Sequence, residues 1–456
     1  MQANDNIESI TGNPRKAINR LAFPTIFSLL LMFLNNLIDS FWVSGINSNA
    51  LAALGFISPL YLVIIGLGTG VGAGANSLIS RYVGAHRIGD ANNAVIHSII
   101  LTVIVSIIVL MIGIFFLDDL VIFLGAGGVS TYCLSYGQII FLLNIVFLAP
   151  NAVAGIFRAE GDAARATNPL MLAAILNMIL DPIMIYGLGL GIFGAGLATV
   201  MASFLGFLVM FYWIFVKRDT FFEFSFSNYK RKLEIYKEIL VVSLPASTEE
   251  IIFALVAIIL NYLIITTAGV GEVAAFTIAW RFITIAFIPC MAIGIATITV
   301  SGIAYGAQNW ENFNETIKYS TFLSLAITLA ICAMFFVFAY PLCEFFNFQA
   351  GNPALVHRSA EILQLLVFYN CFISFGATAA YTYQGVGSGF KSLGLTVMRE
   401  LVLSMAFAYL MGITLGMGVF GVYLGAIIGM NLGSFIGFAF IWIFNVKFKK
   451  RVENAN

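Results

Sequence analysis

Charge is scarce in this chain. Only 10% of its 456 residues are Asp, Glu, Lys or Arg, against 61% hydrophobic. Soluble domains carry about 25% charged residues and have no use for such an apolar excess, so a soluble globular fold is excluded. Neither sign dominates: 22 basic and 22 acidic residues give a net charge of zero and no footprint for nucleic acid. The five cysteines, Cys133, Cys290, Cys332, Cys343 and Cys371, form no CxxC pair and no metal spacing. They read as scattered core thiols, not a disulfide framework. Three histidines, His86, His97 and His357, make no ligand cluster. There is no Walker A loop, which excludes a self-contained ATP-driven pump. HExxH and GxSxG are also missing, so the chain is expected not to be an enzyme and to need no cofactor. The opening stretch MQANDNIESITGNPRKAINR is polar and lacks a signal-peptide pattern.

Long apolar runs are abundant. Each membrane helix needs about 20 such residues, more when tilted. Twelve spans follow. The first six are expected near 17–46, 52–81, 92–117, 131–158, 166–188 and 193–216. The second six are expected near 236–267, 272–304, 317–341, 357–384, 391–414 and 418–446. The reading is an all-α membrane protein with an N-lobe at 1–216, a surface linker at 217–235 and a C-lobe at 236–456. With the N-terminus cytoplasmic, 19 of the 22 Lys and Arg fall on the inside, so both termini are expected in the cytoplasm of a plasma-membrane protein.

The two halves repeat. LAALGFISP at 51 and VAAFTIAWR at 273 lie 222 apart, as do Gly84-Ala85 and Gly306-Ala307. Gly161 and Gly387 lie 226 apart, and Phe193-Gly194 and Phe420-Gly421 lie 227 apart. Such a steady register marks a tandem duplication. Six spans per repeat keep both repeats in one orientation, so two six-helix bundles related by a pseudo-two-fold axis along the membrane normal are expected. That plan suits alternating access; a passive channel does not require it.

Acids inside apolar runs are costly and need a partner or a water-filled cavity. Asn177 and Asp181 sit four apart in LAAILNMILDPIMIYGLGLGIFGAGLAT, on one helix face. Asp39, in LLMFLNNLIDSFWV, is the expected partner. A carboxyl buried beside another carboxyl holds a proton near neutral pH, so the group points to a cation site for a proton, sodium, or each in turn. Glu249 and Glu250 lie inside the seventh span and point about 100° apart, so one at most faces a cleft squarely. Their alternative role is pairing with Arg281 or Arg399, expected as structural clamps. Asn36, Asn151 and Phe147 are further substrate-cleft candidates, aromatic faces being suited to flat cations. Gly70, Gly72 and Gly74 lie mid-span and read as close helix packing, not a phosphate loop.

At this point the segments NPRKAINRLAFP, DSFWVSGI, FRAEGDAARA, LNMILDPIMIYGLGLGIFGAGLAT, FVKRDT, AWRFITIAFIP, SGIAYGAQN and QGVGSG carry a resemblance. The chain resembles the multidrug and toxic compound extrusion (MATE) transporters, and most nearly their archaeal members near the DinF branch. The resemblance implies the MATE fold and cation-coupled export by an N-lobe polar cluster. Carried over, that cluster falls on Asp39, Asn177, Asp181, Thr199 and Tyr136, with Asp39, Asn177, Asp181 and Thr199 as sodium ligands. An expected fourth-helix asparagine is Ala154 here, for which Asn151 one turn away is the expected substitute. The proline of the first helix is present as Pro24, but the glycine one turn later is Ser28. The implied function is secondary active antiport of amphipathic, cationic small molecules against proton or sodium influx, by a monomer with no nucleic-acid partner. The alternative is a flippase for a lipid-linked precursor, whose relatives often add spans or a basic cleft.

Overall fold

A computed structural model describes residues 7, 10–224, 229–347 and 353–455. The described chain is helical apart from short turns and the linker. The first unit contains α1 (Pro14–Ser44), α2 (Ser48–Gly84), α3 (Ile88–Phe123), α4 (Ser130–Leu142), α5 (Ile145–Ala159), α6 (Ala163–Pro182) and α7 (Gly191–Phe211). Then come α8 (Leu233–Ala268), α9 (Val270–Gly306), α10 (Trp310–Val337), α11 (Ala339–Asn347), α12 (Pro353–Asn370) and α13 (Ile373–Gly385). The last three are α14 (Gly389–Thr396), α15 (Ser404–Tyr409) and α16 (Gly418–Ala455). Among the described residues ten helices are long and apolar enough to cross a membrane, or twelve if each bent pair is one span. The short α11 follows the ninth span and was not expected.

The bent pairs are the fourth and tenth spans. Residues Gly127–Leu142 and Ile145–Ala159 meet at 49°, and Pro353–Asn370 and Ile373–Gly385 at 46°. A break frees backbone groups that lipid cannot satisfy. An asparagine takes them up in each case. The Asn144 amide donates to the Phe141 carbonyl at 2.8 Å and to the Ser106 carbonyl at 3.2 Å. The Asn431 amide donates to the Phe368 carbonyl at 2.9 Å, while its oxygen accepts from the Phe372 N–H at 3.1 Å.

The repeat is written into the backbone. His86 and Gln308, 222 apart, both have positive φ, as do Gly161 and Gly387, 226 apart. Gly189 and Gly416, and Gly191 and Gly418, do so at an offset of 227. The first two pairs close helix ends in one way. Arg87 N–H reaches back to the Tyr82 carbonyl and Asp162 N–H to that of Phe157. Asn309 and Ser388 repeat this toward Ala304 and Tyr383. This is the left-handed helix stop, and it fits helices that must end sharply at a membrane surface. Wound-out π turns match too: Ile183–Gly187 corresponds to Leu410–Thr414. Each unit also has one unmatched π turn: Tyr212–Lys217 in the first, and Val397–Leu403 in the second, where the first has regular α-helix. A π turn accommodates one added residue, which accounts for the step in offset from 226 to 227.

Contacts divide the chain at Glu250, inside α8, later than the expected lobe boundary. The cause is local: α8 begins against the first unit. A Cβ on Gly70 or Gly74 would meet the Ser247 or Ser243 hydroxyl at 2.0 or 2.2 Å, and Arg81 pairs with Glu238 at 3.1 Å. On the other side of α2, a Cβ on Gly155 would lie 2.1 Å from the Gly72 carbonyl oxygen. The glycines therefore pack helices. The expected linker is irregular at 218–224 and 229–232, residues 225–228 lying outside the described residues, and α8 starts at Leu233. None of the five cysteines is in a disulfide among the described residues.

Candidate functional site

Five helices of the first unit bring their polar residues to one buried place. Asp39 comes from α1, Asn177 and Asp181 from α6, Thr199 from α7 and Tyr136 from α4; all are buried. Tyr61 of α2 joins them, near Asp39. The i, i+4 spacing on α6 acts as expected: the Asn177 amide donates to Asp181 Oδ1 at 2.9 Å and reaches Thr199 Oγ1 at 3.4 Å. The Thr199 hydroxyl donates to the Ala195 carbonyl at 2.9 Å, leaving its lone pairs toward the cluster. The Asp39 and Asp181 carboxyls are near enough to influence each other.

The cluster is short of donors. Asp39 Oδ1, Asp181 Oδ2 and Asn35 Oδ1 are buried with no hydrogen-bond partner. Two carboxylates cannot bond one another; a proton on one of them, or a hard cation between them, resolves both the missing donor and the repulsion. The donor set is oxygen-rich, which suits a proton or a hard cation over a soft metal. Asp39, Asp181, Asn177 and Thr199 could hold such an ion. Among the described residues no group of three His, Cys, Asp or Glu side chains could hold a metal.

Other candidates lie elsewhere. Phe147 is buried, its ring edge-on to Tyr61 at 5.2 Å between centroids. The Asn151 amide donates to the Phe147 carbonyl at 2.8 Å, within its own helix, so that donor does not replace the missing asparagine. Ala154 itself packs among Phe157, Ala166, Met210 and Ile214, an environment with no use for an amide. Asn36 is exposed, whereas Asn35, one turn before Asp39, turns its oxygen inward. The four-residue spacing from Asp39 could have found Asn35. Tyr61 gave no such signal, since it comes from another helix. Glu249 is half-buried; Glu250 is exposed, with its Cγ beside Gly66 of α2. Arg281 is exposed and enters no ion pair among the described residues, so it is no buried clamp. Arg399 is one: it bonds Glu400 in the extra π turn, and both are buried.

Another buried acid stands at the end of α5. Glu160 accepts from the Phe222 N–H at 3.0 Å, and burial pushes its carboxyl up to about 8, against the lowering effect of that bond. Beside it Arg165 pairs with Asp162 at 3.4 Å and with Asp219 at 2.8 Å. The start of the linker is thus tied to the turn between α5 and α6.

Comparison with known proteins follows the same outline. The MatE family model matches residues 24–183 and 245–410, one stretch in each half. The multidrug export protein MepA of Staphylococcus aureus is 24% identical over 396 residues, 85% of each chain. A solved outward-facing multidrug resistance MATE family transporter of the MOP superfamily superposes with a TM-score of 0.95. It is 33% identical, over 98% of this chain and 99% of that one. A MOP superfamily transporter from Pyrococcus furiosus, described as having a binding pocket of reversed polarity, gives 0.94 at 33% identity, over 97% and 98%.

Proposed function

Because the chain belongs to the MatE family, we propose that it is a multidrug efflux transporter, a secondary active antiporter. It exports amphipathic, cationic small molecules against an inward flow of protons or sodium ions. It works as a monomer in the plasma membrane, with both termini in the cytoplasm. It is a membrane protein and not an enzyme.

One observation carries the coupling: two carboxyls of different helices meet in a buried cluster with oxygens that lack donors. The cation-loaded and empty clusters differ in charge, so they favour different arrangements of α1 against α6 and α7. An ion shifts only those equilibria for which its affinity differs, and this cluster supplies that difference. Sodium brings the missing positive charge and displaces the shared proton, so the two ions compete for one place.

The test is reconstitution into liposomes with an imposed proton or sodium gradient and a fluorescent cationic dye. Gradient-driven dye movement is expected, and its absence under both gradients rejects the antiporter. Calorimetry of sodium binding from about pH 5 to about pH 8 then separates the ions. Competition predicts weaker sodium binding at lower pH and no heat with Asp181→Asn. Binding that ignores both would move the coupling site away from Asp39 and Asp181.

A further inference from the structure

A cavity of about 650 Å³ lies at the polar start of α3, walled on one side by the linker. Its wall is built by specific bonds. Asn93 grips Lys230 twice: its amide donates to the Lys230 carbonyl at 2.9 Å, and its oxygen accepts from the Lys230 N–H at 3.2 Å. The Lys232 N–H donates to His97 Nε2 at 3.2 Å, and the His97 ring packs against those of Tyr229 and Tyr236. The backbone is thereby held so that Lys230 and Lys232 face the cavity together with Arg87. Two of these cations share one carboxylate. Arg87 bonds Asp90 Oδ2 at 2.6 Å and Lys232 bonds Oδ1 at 3.0 Å. Lys230 enters no ion pair among the described residues. Three cations against Asp90 and Glu223 leave a positive wall.

The same face of α3 continues as an apolar stripe. Asn93, Ile100, Ile107 and Ile114 follow in steps of seven, which drift by only about 20° per step on a straight helix. Beyond the cavity Val103, Ile104, Ile107 and Ile114 are exposed, Ile107 at 53% and Ile114 at 59%. From Asn93 to Ile107 the helix rises about 21 Å, more than one leaflet's half of the about 30 Å hydrocarbon layer.

We propose that this cavity is a specific site for an anionic phospholipid. The phosphate lies between Lys230, Lys232 and Arg87, and Glu223 accepts from a headgroup hydroxyl. The acyl chains run down the exposed face of α3. A soluble anion has no use for that stripe, and a neutral lipid none for the cations. Bound there, the lipid ties the linker to α3.

The test is native mass spectrometry of the full-length protein in detergent, titrated with phosphatidylglycerol, phosphatidylcholine or glycerophosphoglycerol. Phosphatidylglycerol is expected to bind about tenfold more tightly than either of the others. Lys230→Glu should weaken it by about thirtyfold, since it changes the charge there by two and each unit of charge near the surface is worth about fivefold. Lys449→Gln, a cation on α16, should leave it unchanged. The Lys230 substitution keeps the backbone bonds to Asn93, and Lys230→Gln, with about half the effect in logarithmic terms, stands in if the first variant unfolds. Three outcomes overturn the proposal: equal binding of the two lipids, unchanged affinity in both Lys230 variants, or glycerophosphoglycerol binding as tightly as the lipid.

Discussion

The two units share a backbone register and differ in chemistry at its most buried points. Asp181 of the first unit corresponds, at the offset of 227, to Ala408 of the second. Asn177 corresponds to Ser404 and Thr199 to Ala426. Where Asn177 reaches the Thr199 hydroxyl, the Ser404 hydroxyl donates to the Ala426 backbone carbonyl at 3.1 Å. The helix contact is the same; the side-chain chemistry has gone. Ala408 sits in an apolar cluster with Val256, Leu260 and Ala426. At the helix-ending turn, Glu160 corresponds to buried Val386. The second unit puts its buried charge elsewhere, as the Arg399–Glu400 pair inside the π turn that the first unit lacks. There Arg399 lies against two bare glycines; a Cβ on Gly376 would stand 2.7 Å from its Nη1, and one on Gly433 2.7 Å from its Cα. Duplication thus preserved the packing of backbones, while an unbalanced acid pair was kept in one copy and a balanced ion pair in the other. A balanced pair holds structure; an unbalanced one is the place proposed for the coupling cation.

The largest effect should come from making the first unit resemble the second. Asp181→Ala, and equally Asp39→Asn, should abolish gradient-driven dye efflux from liposomes while thermal unfolding stays close to that of the parent. Removing one of two like charges relieves repulsion, so folding does not suffer. Full efflux by either variant would break the distinction between the units.

Next in size is the opposite pair. Arg399→Met leaves the Glu400 carboxylate buried without its partner, and should cost about 3–5 kcal/mol in unfolding experiments. The double change Arg399→Met with Glu400→Leu should recover most of that, because the desolvation cost disappears with both charges. A double variant no more stable than the single one would assign the ion pair a role beyond balance.

Ala408→Asp copies the first unit's acid into the second without its partners. A lone carboxyl there should cost about 2.5–3.5 kcal/mol, read as a lowered unfolding temperature, and should create no new sodium heat. A silent substitution would mean that the second unit can still shelter an acid.

A pH-dependent effect concerns Glu160. Burial raises its folded value from the ordinary 4.5 to about 8, so the folded protein binds the extra proton. Its favourable contribution is complete below about pH 4.5 and is lost as pH rises toward about 8. Thermal unfolding followed across that window should show a decline that Glu160→Gln or Glu160→Val flattens. An equal decline in the variants would place the titration elsewhere.

The apolar runs determined the helices, because lipid leaves a backbone no other way to satisfy its hydrogen bonds. The repeated glycines and their offsets determined the duplication, since left-handed stops tolerate few residues. The i, i+4 spacing determined that Asn177 and Asp181 would bond. Tertiary structure decided the rest. The bends at Asn144 and Phe372 rest on amides from the break itself or from a distant helix. That Asn35 and not Asn36 faces inward depends on how α1 is rotated. The meeting of Asp39, Tyr61 and Tyr136 with Asp181 depends on four separate helices packing at one depth. Periodicity along one helix names a face; only the packing of neighbours says what that face meets.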